Sequence, residues 1–199
     1  MVKMALFIAL IILLSVTPLG YIPLGPINAT TIQMPVIIGA VLFGWKKGAI
    51  LGGVFGLTSL IKNTVQPNLT SFVFSPFVPV FGEESGSPWA LVVGLFSRIM
   101  IGVVAAAVFN FLVKIKANKT VASVAAGFFG SLTNTVLVMG GIYLFFGESY
   151  SAAKEIAYNA LLATVTATIT GAGITEAIVS AVVSGAVCTA LIKYSERKS

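Results

Sequence analysis

The sequence contains no histidine and no aspartate, and its one cysteine, Cys188, cannot form an internal disulfide. Nucleophilic catalysis and metal-assisted hydrolysis therefore lack the side chains that they need. A phosphate-binding loop of the G-x-x-x-x-G-K-[ST] type is also missing. We expect a protein that is not an enzyme, carries no cofactor and does not hydrolyse ATP by itself.

Charge is equally scarce. Charged residues make up 9% of the chain, against about 25% in soluble domains. Hydrophobic residues make up 57%, so the chain cannot cover a water-facing surface and the lipid bilayer is its expected solvent. The net charge of +6 does not indicate nucleic acid, because the cations cluster at the ends of predicted helices, where the positive-inside rule accounts for them.

Six apolar stretches predict an all-α membrane protein with six transmembrane helices in a single domain, residues 1–199. The predicted helices are residues 4–18, 33–45, 47–64, 89–113, 120–146 and 160–192. Most Lys and Arg residues fall in alternate gaps between them. This pattern predicts a multi-pass protein of the cell membrane with both termini in the cytoplasm.

Two of the predicted outer loops are rich in proline. Residues 17–26 contain too many Pro and Gly residues for a helix. Residues 66–88 combine four prolines with Phe72, Phe74, Phe77 and Phe81. This second loop is long and apolar enough to fold over an outward-facing pocket as a lid.

Polar residues within membrane helices are costly and usually functional. Arg98, Asn134 and Glu176 each lie 15 to 17 positions from a lysine at the cytoplasmic end of the same helix, which places them roughly 22–26 Å above it. Asn63 reaches the same height on helix three. The four side chains predict a small-ligand pocket beneath the loops; alternatively, Arg98 and Glu176 form a structural pair that neutralises both charges.

Small residues repeat every fourth position on two helices. Gly48, Gly52 and Gly56 leave one face of helix three nearly bare, and Ala5 and Ala9 form a similar pair on helix one. Such faces allow close helix approach. From the residues alone, each face could serve internal packing or the docking of a partner.

Several segments together resemble the substrate-binding S component of an energy-coupling factor (ECF) vitamin transporter over essentially the whole chain. These segments are Ala5 to Ala9 and residues 23–44, 96–98 and 130–135. Residues 25–30, 58–63 and 70–76 look most like the pantothenate-type members. The resemblance implies high-affinity capture of a vitamin outside the cell and delivery with a transmembrane T protein and two cytoplasmic ATPases. It also implies that Ala5 and Ala9 contact the T protein.

Pantothenate, the ligand that the resemblance implies, is a monoanion with an amide, two hydroxyls and a geminal dimethyl group. Arg98 would bind the carboxylate, or Lys62 would replace it, while Asn63 and Asn134 would bind the amide or hydroxyls. The methyl groups would contact aromatic walls. Further candidate contacts, given by the loop composition and the pantothenate-type run, are Phe72, Phe74, Asn28 and Thr30.

Other functions stay open at this point. Folate, riboflavin or a thiamine precursor could be the ligand of an S component. A secondary carrier or channel would also bury polar residues, but it should show a polar path through both membrane halves. Here the cytoplasmic halves of helices four to six are mostly Val, Ala, Gly and Phe. A membrane scaffold protein would lack a tight small-molecule ligand.

Overall fold

The computed structural model describes residues 2–24 and 27–197, with the side chains of these residues except 21–29 and 196. Within the described residues the chain forms six helices that match the six predicted helices to within a few residues, except at the C-terminal end of the fifth. We number them α1 Val2–Val16, α2 Gln33–Phe43, α3 Trp45–Val65, α4 Trp89–Lys114, α5 Lys119–Ala153 and α6 Tyr158–Ser195. The predicted helical architecture is therefore confirmed, whereas six membrane crossings, cytoplasmic termini and an outward-facing pocket stay predictions.

Helix length separates the six helices into two groups. In the described part of the chain, α3 to α6 are long and apolar enough to cross a membrane. Helices α1 and α2 are apolar but contain only 15 and 11 residues, and at 1.5 Å per residue α2 covers about half of a bilayer core. By their length and composition, four helices could cross a membrane, which supports a multi-pass membrane protein.

The first proline-rich loop forms no α-helix in its described residues, as predicted. A 3-10 turn, Pro18–Gly20, is followed by strand β1, Tyr21–Leu24, which pairs antiparallel with strand β2, Ile27–Thr30. Tyr21 lies opposite Thr30 and Leu24 opposite Ile27. The described residues are thus all-α apart from one short hairpin, in which strand pairing satisfies backbone N–H and C=O groups that have no helical partner.

Helix α5 continues seven residues past its predicted end at residue 146. It starts at an N-cap, where Asn118 Oδ1 accepts a hydrogen bond from the Thr120 backbone N–H at 2.8 Å. At Phe146 the backbone leaves helical geometry, with φ −134° and ψ 16°, and the helix kinks before it continues to Ala153. The predicted end of this helix, residue 146, therefore coincides with the kink, and the helix itself ends at Ala153.

The glycine face of α3 packs against α4. A Cβ atom added at Gly52 would lie 2.2 Å from the Arg98 carbonyl oxygen, and one at Gly48 would lie 2.9 Å from that of Gly102. Both distances are too short for a side chain, so this face serves internal packing, as one of the two interpretations of the sequence holds. The close crossing fixes the height of Arg98 beside α3.

Two apolar clusters stabilise the bundle. One joins all six helices around residues such as Ile11, Val36 and Phe55. The other joins loop 66–88 to α4 and α5, and its buried members include Phe72, Val80, Val93, Val138 and Phe146. Because the second cluster anchors the loop, the segment next to the polar layer has a defined position.

Candidate ligand-binding site

A cavity of about 600 Å³ lies between α3, α4, α5 and α6, with loop 66–88 and the end of β2 at its border. Seven of the residues predicted to contact a ligand line it: Thr30, Lys62, Asn63, Phe74, Arg98, Asn134 and Glu176. The structure thus brings the predicted polar layer together in one place. That these side chains bind a ligand remains a prediction.

Arg98 is held in the cavity wall by aromatic and polar contacts. Its guanidinium carbon lies 4.8 Å from the ring centre of Phe74 and 5.6 Å from that of Phe55, both within cation–π range. Its Nη1 donates to the Val93 carbonyl oxygen at 2.7 Å and to Ser97 Oγ at 3.1 Å. The side chain is 7% exposed, so its charge has a fixed position and orientation.

The backbone beside Arg98 forms a π-helical segment, Val92–Phe96. The wider turn brings the Val93 carbonyl oxygen under both Arg98 and Ser97, whose hydroxyl also donates to it. A second π-helical segment, Ile169–Gly173, lies in α6, and Gly173 lines the cavity. Single π turns inside α-helices are frequent at functional sites, and these two lie on two walls of one cavity.

Glu176 is positioned by the polar network beside it. Its Oε1 accepts hydrogen bonds from the Thr30 backbone N–H at 2.7 Å and from Gln33 Nε2 at 3.1 Å. Gln33 Nε2 also lies 2.9 Å from Ser131 Oγ and 3.1 Å from Ser180 Oγ. This network ties the hairpin and α2 to α5 and α6 at the edge of the cavity.

The two asparagines differ in how their side chains are used. Asn63 Nδ2 donates to the Ser59 carbonyl oxygen at 2.8 Å, and Asn63 Oδ1 accepts from Ser71 Oγ at 2.8 Å. Asn63 therefore anchors loop 66–88 to α3. By contrast, the buried Oδ1 of Asn134 has no hydrogen-bond partner among the described residues, and Asn134 lines the cavity.

Of the two predicted aromatic contacts, one lines the cavity and the other does not. Phe74 lines the cavity, whereas Phe72 is 2% exposed and packs edge to face on Phe146, with ring centres 5.8 Å apart. Phe72 is thus part of the apolar cluster under the loop and is not among the cavity-lining residues, because long-range packing turns it toward α5. Phe77 and Phe81 are exposed. Asn28 lies in β2, with its side chain outside the described part of the chain.

Several residues of the site were not predicted. Gln33 and Phe55 support Glu176 and Arg98, and Gln66 and Thr168 add polar groups to the lining. They lie beside Asn68, an N-x-[ST] asparagine that the sequence predicts to form a turn or to line the pocket. Asn68 Oδ1 also closes a turn by accepting from the Thr70 backbone N–H at 3.0 Å. Gln33 had a readable signal, since it is a polar residue at the start of an otherwise apolar helix. Phe55 had none, because an apolar residue in an apolar helix is unremarkable.

The charges around the cavity favour an anion. Its charged lining residues in the described part of the chain are Lys62, Arg98 and Glu176, so two positive charges and one negative charge leave a formal excess of one positive charge. The volume lies within the range of about 300–1,000 Å³ that is usual for small-molecule sites. The arrangement suits a small monoanion that also offers hydroxyl or amide groups to Asn134 and Glu176.

Comparison with known proteins gives a family and two named relatives. Residues 1–187 match the family described as "ECF transporter, substrate-specific component". The pantothenic acid transporter PanT of Lactococcus lactis subsp. cremoris (strain MG1363) is 42% identical over 158 residues, which cover 76% of this chain and 78% of that protein. The pantothenate transporter PanT of Leuconostoc mesenteroides subsp. mesenteroides is 31% identical over 145 residues, which cover 69% of this chain and 63% of that protein.

The match extends through all six helices into the last third of α6, and it includes every cavity-lining residue named above. The resemblance inferred from residues 5–9, 23–44, 96–98 and 130–135 is thereby confirmed, as is the expectation that the protein is a transporter component and not an enzyme. This chain belongs to the substrate-specific, or S, components of ECF transporters.

Proposed function

We propose that this chain binds pantothenate in the cavity between α3 and α6 and takes part in its import. The observation that carries this proposal is a fixed cation, Arg98, in a cavity with an excess of one positive charge, in a chain that is similar to two pantothenate transporters. A cationic vitamin such as a thiamine precursor would meet two cations and one carboxylate. Charge therefore favours the monoanion.

The ligand's groups have complementary partners. Its carboxylate accepts hydrogen bonds from Arg98, with Lys62 as a second cation on α3. Its amide N–H or a hydroxyl donates to Asn134 Oδ1, the acceptor that has no partner among the described residues. Its geminal methyl groups contact Phe74, Val138 and Met139 on the apolar part of the wall.

The docking of a T protein would use the free face of α1. Ala5 and Ala9 are exposed, whereas Phe7 on the other side of the helix packs at right angles on Phe43. The exposed alanines thus point away from the bundle and offer a surface that a partner helix can approach closely. We infer that the T protein binds here and that two ATPases supply the energy for transport.

The cavity would open toward the outside of the cell. This orientation is supported by the lysines at the helix ends remote from the polar layer, which are Lys46, Lys47, Lys114, Lys119 and Lys193. Under the positive-inside rule these ends, and both termini, lie in the cytoplasm. Loop 66–88 and the β-hairpin would then border the outer entrance.

The direct test is identification of the ligand. The full chain is purified in detergent without added vitamin, and the small molecules released by denaturation are identified by mass spectrometry. Calorimetry then compares pantothenate with folate, riboflavin and thiamine on the ligand-free protein. We expect tight, one-to-one binding of pantothenate, and tighter binding of any of the other three would overturn the assignment.

A structural control uses pantothenate derivatives. An amide in place of the carboxylate keeps the size of the ligand and removes its charge, so it should bind much more weakly if Arg98 and Lys62 recognise the anion. Equal affinity for both forms would show that charge does not select the ligand. The experiment therefore separates recognition of the carboxylate from simple filling of the cavity.

A further inference from the structure

A second polar and apolar surface lies at the opposite end of the bundle, where α5 begins and α6 ends. Two adjoining cavities of about 210 Å³ and 580 Å³ share Thr120, Thr189 and Lys193 in their walls. The smaller cavity is also lined by Asn118 and Lys119. We call the two together the α5–α6 groove.

The larger part of the groove is apolar and follows one face of α6. Val182, Ala186 and Ala190 repeat every fourth residue and line it, together with Val124 of α5. Its floor is shallow because Gly185 packs on Val124, where an added Cβ would lie 2.6 Å from a Val124 methyl carbon. Val182 is 63% exposed, so in a membrane this part of the groove faces acyl chains.

The smaller part is basic, because two of its six lining residues are lysines. The amines of Lys119 and Lys193 come from two helices, and the first turn of α5 adds the positive end of its helix dipole. Between the basic and apolar parts, the buried Thr189 Oγ1 has no hydrogen-bond partner among the described residues. A cationic end, an unsatisfied hydroxyl and an apolar channel thus follow one another along α6.

We propose that the α5–α6 groove binds one anionic glycerophospholipid. Its phosphate lies between Lys119 and Lys193, a glycerol or ester oxygen bonds Thr189, and one acyl chain lies along Val182 and Ala186. A free phosphate ion would use only the basic end, whereas the groove continues for a further 580 Å³ of mainly apolar space. The site is separate from the vitamin cavity, with which it shares no lining residue.

The test is native mass spectrometry of the full chain titrated with phosphatidylglycerol, with phosphatidylcholine of the same acyl chains, and with inorganic phosphate. We expect one phosphatidylglycerol to bind in preference to phosphatidylcholine. Lys193→Gln should weaken it about fivefold, the fold-change that corresponds to ~1 kcal/mol for one basic residue at an anionic lipid surface. Ala186→Phe should also weaken it, because the ring fills the acyl channel.

The matched control is Lys114→Gln, which removes the same charge from the neighbouring helix end outside the groove. Equal weakening by Lys114→Gln would indicate general surface attraction and overturn the site. Equal binding of phosphatidylcholine would also overturn the site. Displacement of phosphatidylglycerol by millimolar inorganic phosphate would overturn it too, because it would indicate a site for free anions. If Lys193→Gln fails to fold, the proposal is still tested by the lipid comparison on the unmodified chain and by the Ala186→Phe variant.

Discussion

Replacing Arg98 with alanine should remove most of the affinity for an anionic vitamin while the bundle stays folded. In the structure Arg98 is 7% exposed, its guanidinium lies 4.8 Å from the ring of Phe74, and it bonds the Val93 carbonyl oxygen. Alanine deletes the charge from the cavity wall and keeps the helical backbone of α4. The tight crossing at Gly52, which contacts the backbone of residue 98, is unaffected.

The magnitude follows from loss of one desolvated, charge-assisted contact. Truncating one partner of such a pair costs about 2–5 kcal/mol, which corresponds to roughly 30-fold to several thousand-fold in dissociation constant. Isothermal titration calorimetry with pantothenate on the detergent-purified protein measures it. Arg98→Lys keeps the charge but loses the planar group over Phe74, so its affinity should lie between those of the original protein and Arg98→Ala.

The matched control is Arg197→Ala, which removes the other arginine of the chain at the far end of α6. Its affinity should equal that of the unmodified protein. The reasoning fails if Arg98→Ala binds pantothenate as tightly as the unmodified protein, because the anion partner would then be Lys62 or no cation at all. It also fails if Arg197→Ala has the same effect as Arg98→Ala.

Four further predictions concern other parts of the molecule. Asn134→Leu should weaken calorimetric binding of pantothenate roughly threefold to tenfold through loss of one hydrogen bond; unchanged affinity would remove Asn134 from the site. Ala5→Trp with Ala9→Trp should abolish vitamin uptake by cells but keep binding, because the added bulk blocks helix approach; survival of uptake would exclude this face as the docking surface. Saturating pantothenate should slow hydrogen exchange of residues 66–74, and equal exchange with and without it would contradict a closing loop. Gly52→Ala should lower the melting temperature by forcing α3 from α4, at about 1–3 kcal/mol of overpacking; an unchanged melting temperature would refute the tight crossing.

Two controls accompany these variants. Gly53→Ala adds a Cβ whose nearest contact is 3.9 Å away on Ile99, so it should be tolerated where Gly52→Ala is not. Asn63→Leu should loosen loop 66–88 by breaking the bond to Ser71, whereas Asn134→Leu should leave exchange of the ligand-free loop unchanged. The second comparison distinguishes an anchor of the loop from a ligand contact.

The helices and the height of the polar residues could be predicted because both depend on distance along the chain. Apolar length gives the helices, and a rise of 1.5 Å per residue places Arg98, Asn134 and Glu176 at a common level. Their meeting in one cavity follows if the helices pack side by side. The glycines of α3 similarly indicated a close helix contact, although the sequence could not say with which helix.

The rotation of each helix about its axis and the long-range packing could not be predicted from distance along the chain. Gln33 reaches Glu176 across 143 residues of sequence, and no local pattern pairs them. Phe72 and Phe74 are two positions apart in one loop, yet Phe72 joins the apolar cluster and Phe74 lines the cavity. The kink at Phe146 and the π-helical segments also had no local signal, because their residues include no Pro.

The widened turn at Val92–Phe96 has a consequence for the balance between stability and affinity. Holding Arg98 in place removes up to ~2 kcal/mol of rotamer entropy when the chain folds, and taking its charge out of water adds a further penalty. The protein bears both costs before any ligand binds, so the proposed anion would not have to order Arg98 on binding. We expect an apolar residue at position 98 to relieve the fold and to abolish binding of the proposed anion, whereas that anion, once bound, would restore the missing stability by mass action.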